Sequence, residues 1–237
     1  MPSLSETTPH GRQPVHPLLP GTDAVMVQHH GHAMAANYGS VVGELAVCLK
    51  RVGLIDRPEL ELFELRGRAP WLDQVLGAGI GDAVPTPGRV STVAENEIWR
   101  VAADWAMVLG PHTFLTRWRR LAGHHLVAGT ITCVDRSSDY SALLLVGPRA
   151  RRVLLAAGLS EELPVGGVST WVVAGVTVLI AHEASDRFSL LLPAEGGAAA
   201  REALLEAGEP LELGHVGFEA FERLTAAQRS ASRPPLS

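Results

Sequence analysis

Val134-Asp135-Arg136-Ser137, Leu143-Leu144-Leu145-Val146-Gly147-Pro148-Arg149-Ala150 and Val153-Leu154 follow one another in a single stretch. A short apolar run of strand length, a Gly-Pro break and an aliphatic pair beyond it read as strand, sharp turn and helix. The same order occurs about 80 residues earlier. Ile55-Asp56-Arg57 precedes the run Leu60 to Leu65, Gly67 closes that run, and Val75-Leu76 supplies the aliphatic pair.

The correspondence continues outward. Val90-Ser91-Thr92 is matched by Val168-Ser169-Thr170, and Ile98 to Ala102 by Val176 to Ile180. Asp104-Trp105 through Leu109 answers Asp186-Arg187 through Leu191, Pro111 answers Pro193, and both units close on a helix ending in Ala-Gly, at Ala122-Gly123 and Ala207-Gly208. Self-similarity in a fixed order is the mark of an internal duplication. Each unit reads β-α-β-β-α, strands with their helices on one face. The expected class is therefore α+β, two repeated plaits packed together with a cleft along their pseudo-twofold. The first closing helix places Phe114, Trp118 and Leu121 inward and Arg117, Arg119 and Arg120 toward solvent; the second starts near Gly196 and turns Leu204 and Leu205 inward. A leading helix over about 40–52 carries the stripe Val41, Leu45, Cys48 or Leu49, and Val52, and Gly53 stops it. The expected organisation is a disordered segment over 1–22, leading helix and first plait over 23–124, second plait over 125–228, and a flexible tail over 229–237.

Composition removes several function classes. The chain has 237 residues, 46% apolar and 19% charged, with a formal charge of −5. Lys50 is the only lysine among 20 basic residues, so 19 are arginine. A phosphate loop of the Walker type needs a lysine after a Gly-rich turn, and Lys50 follows none. Schiff-base chemistry has only this residue, beside Arg51 in a helical stretch. The acidic balance gives no field for nucleic acid. Cys48 and Cys133 form neither a zinc spacing nor a disulfide framework, and the expected compartment is a reducing cytoplasm. No apolar run reaches the roughly 18 residues a membrane helix needs.

Other patterns have bland readings beside their chemical ones. Gly77-Ala78-Gly79-Ile80-Gly81 follows a helix rather than a strand, so it reads as a helix-ending turn and not a dinucleotide loop. His29-His30-Gly31-His32 is the densest histidine cluster; a metal site needs three or four ligands converging in space, so the cluster reads as lining a pocket, with no metal expected. His182-Glu183 reads as an acid–base pair or, more plainly, as an ion pair at a hairpin end. Asp56 and Asp135, each before a strand and beside an arginine, read as structural.

The ordered set of motifs resembles the folate-binding fold of the glycine-cleavage aminomethyltransferases, a family that includes the gamma subunit of heterotetrameric sarcosine oxidase. The residues carrying the likeness are His30, Gly31 to Met34, Tyr38-Gly39, Glu44-Leu45-Ala46-Val47, Gly53-Leu54-Ile55-Asp56, the Val134 to Leu154 stretch with Gly147-Pro148-Arg149-Ala150 its most specific piece, and Gly214 to Ala220. The likeness runs over roughly 25–228. It implies a tetrahydrofolate site between the plaits and transfer of a one-carbon unit from an amine. It also implies roles residue by residue. Glu97 (or Glu95) is the carboxylate nearest the family's catalytic aspartates, and His30 is a second proton-handling candidate. Asp186 stands approximately for the pterin-holding glutamate in Glu183-Ala184-Ser185-Asp186-Arg187-Phe188. Tyr38, Arg187 and Arg223 are the remaining candidates for the folate, the two arginines for its anionic tail. The chain departs from the family in lacking the aspartate pair, and it stops where family enzymes begin a C-terminal barrel, so that barrel is expected to be absent.

Three functional readings follow. One is a folate-dependent one-carbon transferase with a small-molecule amine substrate. Another is a non-catalytic gamma-type subunit packed against a larger oxidase chain. A third is a standalone enzyme using the His29–His32 cluster as its acid–base apparatus.

Overall fold

The computed structural model describes residues 24–29, 31–80, 84–93, 96–111, 116–121, 123, 129–160 and 162–231. The segment 1–22, His30, Glu95, Phe114 and residues 232–237 lie outside them.

The chain opens with a hairpin, β1 (Val25–His29) and β2 (His32–Asn37), paired from Val25↔Asn37 to His29↔His32. Along β2 the buried side chains are Met34 and Ala36, the period of two that a one-sided strand demands. Helix α1 (Val41–Lys50) follows; the Ser40 hydroxyl caps it by accepting the Gly43 N–H at 3.1 Å. Cys48 fills the inward position while Leu49 stays exposed. The helix ends two residues earlier than its apolar stripe predicts. Arg51 caps it, and Val52 and Gly53 already belong to β3 (Val52–Asp56). A methyl on Gly53 would stand 2.8 Å from both Cys48 Sγ and Val216 Cγ2, so this glycine admits close packing rather than stopping a helix.

The remaining elements are β4 (Glu61–Gly67), α2 (Ala69–Ile80), β5 (Arg89–Val93), β6 (Asn96–Ala102), β7 (Trp105–Gly110) and α3 (116–121), then β8 (Ile131–Asp135), β9 (Tyr140–Val146), α4 (Ala150–Ala156), β10 (Val168–Val173), β11 (Val176–Ala184), β12 (Arg187–Pro193), α5 (Gly197–Gly208), β13 (Leu213–His215) and α6 (Phe218–Ala231). Helix α6 thus continues to Ala231, inside the segment expected as tail. Helix α2 likewise runs through Gly77 and Gly79 instead of breaking there. A Cβ on Gly79 would lie 2.2 Å from the Trp118 indole, so the glycine is where α3 rests its largest side chain on α2.

Two larger sheets carry the molecule. One has the order β10-β11-β12-β9-β3-β13, the other β5-β6-β7-β4-β8. Strand β3 hydrogen-bonds to β9 and not to the strand that follows it, while β8 pairs with β4 (Phe63↔Asp135 to Gly67↔Ile131). Each stretch of chain therefore lends one strand to the other sheet. The ladder is extended past β8 by Ser137, whose buried hydroxyl accepts the Leu62 N–H at 2.8 Å.

Alternation along the strands sorts the core into layers. Leu143, Leu145, Phe188 and Leu190 face α4 and α5. Phe63, Leu65, Ile98 and Val108 face α2 and Trp118. Between the two sheets lie Leu62, Trp99, Met107 and Leu109 of one and Val168, Leu179, Ala181 and Leu191 of the other. The part of the six-stranded sheet left over, Ile55, Leu144 and Val146, is covered by α1 and α6 through Cys48, Ala220 and Phe221. Full burial of each such aliphatic side chain contributes about 1.5–3 kcal/mol. Gly147 joins these parts. It has φ +126°, and a Cβ there would meet the carbonyls of Arg51 and Cys48 at 2.5 and 2.7 Å, so only glycine lets the β9–α4 turn sit on the end of α1.

Candidate functional site

Where the inter-sheet core ends and α6 begins, the buried layer changes from apolar to ionic. Going along β6 from Trp99, the next residue on the same face is Glu97. Going along β11 from Ala181, it is Glu183. Strand β12 adds Arg187 and Ser189 from the same face, and the turn after β3 adds Arg57 and Glu59. The side chains of Arg57, Glu59, Glu183 and Arg187 are only 10–15% exposed, and Glu97 is 8% exposed.

The charges are arranged in pairs with one left over. Arg57 Nε donates to Glu59 Oε1. Arg187 Nε lies 2.6 Å from Glu183 Oε2, and the Ser189 hydroxyl donates to Glu183 Oε1. Both guanidinium groups also sit on the Phe221 ring of α6, at 4.4 and 5.6 Å from its centroid. Glu97 has the Trp99 indole N–H, donated to Oε2 at 2.8 Å, and, among the described residues, no ion pair with a cation. Burial, and after it the charge of Glu183, push its carboxyl up to about 7, against the lowering pull of Trp99, Arg57 and Arg187. A buried acid that titrates near neutrality can both give and take a proton, as general acid–base catalysis requires. Glu59 Oε2 is buried without a hydrogen-bond partner.

A second polar group surrounds the end of β3. Asp56 is held by Arg201 of α5 through Nη1–Oδ1 at 2.5 Å and Nη2–Oδ2 at 2.8 Å. The Tyr38 ring lies 5.4 Å from the ring of His215 on β13. Burial, then the Asp56 charge, pushes the Tyr38 phenol up to about 12. Burial, then Arg201, holds His215 below the usual imidazole value. Glu44, on α1, ties this region to α6: Oε1 accepts the Tyr38 N–H and Oε2 the Gly217 N–H, both at 2.7 Å.

Of the residues singled out from sequence, Glu97 and Arg187 come together in the ionic layer. Tyr38 belongs to the Asp56–Arg201 group. Asp186 is half-buried in the β11–β12 turn, its carbonyl accepting the Gly147 N–H at 2.8 Å. Arg223 is exposed on α6. His30 falls outside the described residues; His29 packs on Phe218 with ring centroids 4.3 Å apart. His182 does not pair with Glu183. Its Nδ1 lies 2.7 Å from the Leu163 carbonyl and its ring stacks on Phe188, so the hairpin-end ion pair is Glu183 with Arg187. Arg57, Glu59, Ser189 and Phe221 went unmarked in the sequence. Their inward face follows from strand alternation and one helix turn, but only once β3 is known to lie beside β9. Among the described residues no group of three His, Cys, Asp or Glu is placed to hold a metal ion, and no helix is long and apolar enough to cross a membrane.

The chain matches the family model described as the GCVT N-terminal domain over residues 15–230. It is 30% identical over 239 aligned positions to an aminomethyltransferase of Symbiobacterium thermophilum, covering 90% of this chain and 62% of that protein. An aminomethyltransferase of Anoxybacillus flavithermus is 26% identical over 223 positions, covering 84% and 58%. The chain thus spans about 60% of the length of these curated relatives. Among solved structures, the glycine cleavage system aminomethyltransferase T of Bartonella henselae superposes with a TM-score of 0.68 at 20% identity, over 84% of this chain and 57% of that one. A chain of the heterotetrameric sarcosine oxidase of Corynebacterium sp. U-96, in complex with pyrrole 2-carboxylate, superposes with a TM-score of 0.59 at 19% identity, over 74% of this chain and 94% of that one.

Proposed function

The chain belongs to the GCVT N-terminal domain family, and from that premise we propose that it binds tetrahydrofolate and transfers a one-carbon unit to it from a small amine. The observation that carries this reading is Glu97, a buried acid that among the described residues pairs with no cation, at the ionic end of the inter-sheet layer. The residues around it suit a reduced folate. The N–H edge of a pterin calls for carboxylate acceptors, and Glu59 Oε2 is a buried acceptor without a donor. A folate tail is anionic and calls for cations; Arg187, and Arg223 on the exposed side of α6, are assigned to it. Asp186 and Tyr38 keep their assignments to the pterin, and His30 its assignment to proton handling. A bound reduced folate supplies the nitrogens that carry the carbon. Glu97 moves a proton at the amine nitrogen, and Trp99 fixes which carboxylate oxygen faces away from it.

Two further assignments belong with this reading. The chain is a duplicated plait, which the corresponding strand orders β5-β6-β7-β4-β8 and β10-β11-β12-β9-β3 support. Its compartment is the cytoplasm, which the unpaired Cys48 and Cys133 support.

The test is calorimetric titration with tetrahydrofolate, paired with Glu97→Gln in an amine-dependent transfer assay. The reading expects binding in both proteins and transfer only in the wild type. No binding at millimolar folate removes it.

A second reading, a non-catalytic gamma-type subunit of a sarcosine-oxidase-like complex, is favoured by β1. Val25, Met26 and Val27 are 53%, 43% and 37% exposed on a strand that, among the described residues, pairs only with β2, an apolar edge of the kind larger assemblies cover. Isolation of the native protein from its source decides it: a larger oxidase chain copurifies, or a lone active species does.

A further inference from the structure

Glu183 owes its position to an irregularity in the backbone. Strands β11 and β12 run in register to His182↔Phe188, and the next pair is Ala184↔Arg187, so Glu183 and Ala184 together stand opposite Arg187 alone. Such a bulge bends its strand and re-aims a side chain, and bulges recur beside active sites. Here it lets one carboxylate span two inward residues of β12, with Oε1 taken by Ser189 and Oε2 by Arg187. Both carboxylate oxygens are thereby engaged from β12.

The neighbouring sheet brings Glu97 to the same layer. Trp99, Leu179, Ala181 and Leu191 share one buried cluster, and Glu97 and Glu183 are the next inward positions on β6 and β11. The groups that act on Glu97 are Glu183 of β11, Arg187 of β12, Arg57 beyond β3 and the Trp99 indole of its own strand, with Glu59 engaged by Arg57. Among the described residues these are two arginines and three carboxylates, one carboxylate in excess. Glu59 and Glu183 each hold an arginine, and Glu97 is the carboxylate of the three left without one.

We propose that Glu183, aimed by the bulge and fixed by Ser189 and Arg187, is a positioning residue that keeps Glu97 in its acid form. The inference rests on reading Glu97 as the acid of the site. It adds that the proton on Glu97 is set from the opposite sheet, by a residue that need not touch substrate.

The experiment uses the full chain without folate, so that its outcome is separate from the calorimetric test. The Trp99 indole N–H is followed by 15N-resolved NMR across pH 4 to 9, assigned by Trp99→Phe, and its titration reports Glu97 through their shared hydrogen bond. Loss of the titration in Glu97→Gln verifies the reporter. In the wild type the midpoint falls near neutrality. Glu183→Gln is expected to lower it by about one pH unit or more, about tenfold in proton affinity, because the raising charge is gone and Arg187 is released. Glu183→Ala gives the same sign if the amide does not fold at the bulge. A midpoint unmoved in these variants, with only a lower melting temperature, shows a purely structural Glu183 and overturns the proposal.

Discussion

Asp56 and Arg201, separated by 145 residues in sequence, form a two-point ion pair of 2.5 and 2.8 Å that fastens α5 to the end of β3. Next to it Arg57 turns to the opposite face of the sheet, onto Glu59 and the Phe221 ring. Adjacent residues thus serve two different layers, one structural and one in the candidate site. Because the Asp56 side chain is 38% exposed, the surviving carboxylate in Arg201→Ala is partly rehydrated. We expect a loss of about 1–2 kcal/mol, read by urea denaturation.

Gly79→Ala sets a methyl 2.2 Å from the Trp118 indole. Helix propensity alone would make alanine the better residue by about 1 kcal/mol. The clash decides the sign: the variant should be destabilised by about 1–3 kcal/mol, with a changed near-UV circular dichroism signal from the displaced tryptophan. A gain in stability would show that Trp118 repacks without cost.

Glu97 makes stability depend on pH in a direction opposite to that of a salt-bridged carboxylate. Its folded-state value is raised to about 7, whereas an unfolded glutamate titrates at about 4.3. Below about pH 4 both states hold the proton and the group is neutral to stability. As pH rises from about 4 to about 7, only the unfolded chain releases it, so folding is progressively disfavoured and the loss then levels off. Relative to the wild type, Glu97→Gln should gain stability over this window, by on the order of a few kcal/mol. Denaturation midpoints measured from pH 4 to 8 check this, and parallel curves for the two proteins would contradict it.

Glu44→Gln tests the clamp between the chain's opening and its last helix. The buried carboxylate accepts the Tyr38 and Gly217 N–H groups at 2.7 Å each. An amide can accept only one of them and presents its own N–H₂ to the other. A cost of about 2–3 kcal/mol follows, and hydrogen exchange at Gly217 and in the first turn of α6 should accelerate while the amides of β9 remain protected.

The local grammar of the chain was readable, and its long-range pairing was not. Leu143 to Ala150 spelled strand, turn and helix because an apolar run, Gly147 and an aliphatic pair each constrain the backbone where they stand. Gly79 misled because its reason for being glycine is Trp118, a contact no local pattern reveals. Residues 29–36 were read through their histidines, yet the alternation of Met34 and Ala36 already spells a strand. Glu97 was found through the family likeness, as the carboxylate nearest the place of the family's aspartates. Glu183 was discounted beside His182, since nothing in the sequence shows a bulge or that Arg187 and Ser189 reach for the same carboxylate. Strand period tells which face a residue takes and is silent on which strand lies alongside.

The lending of β3 and β8 between the sheets has a consequence for how the molecule is made. Strand β3 cannot settle until β9, about 90 residues later, has left the ribosome, and β8 must reach back to β4. Neither half of the chain can close its own sheet during synthesis. Formation of the native state must wait for loop closures whose entropic cost precedes their reward, and β4 is left with an open edge through that interval. The same interlock means that, once formed, the two halves come apart only together: a break in either sheet removes a strand from the other, and unfolding is a single event for both.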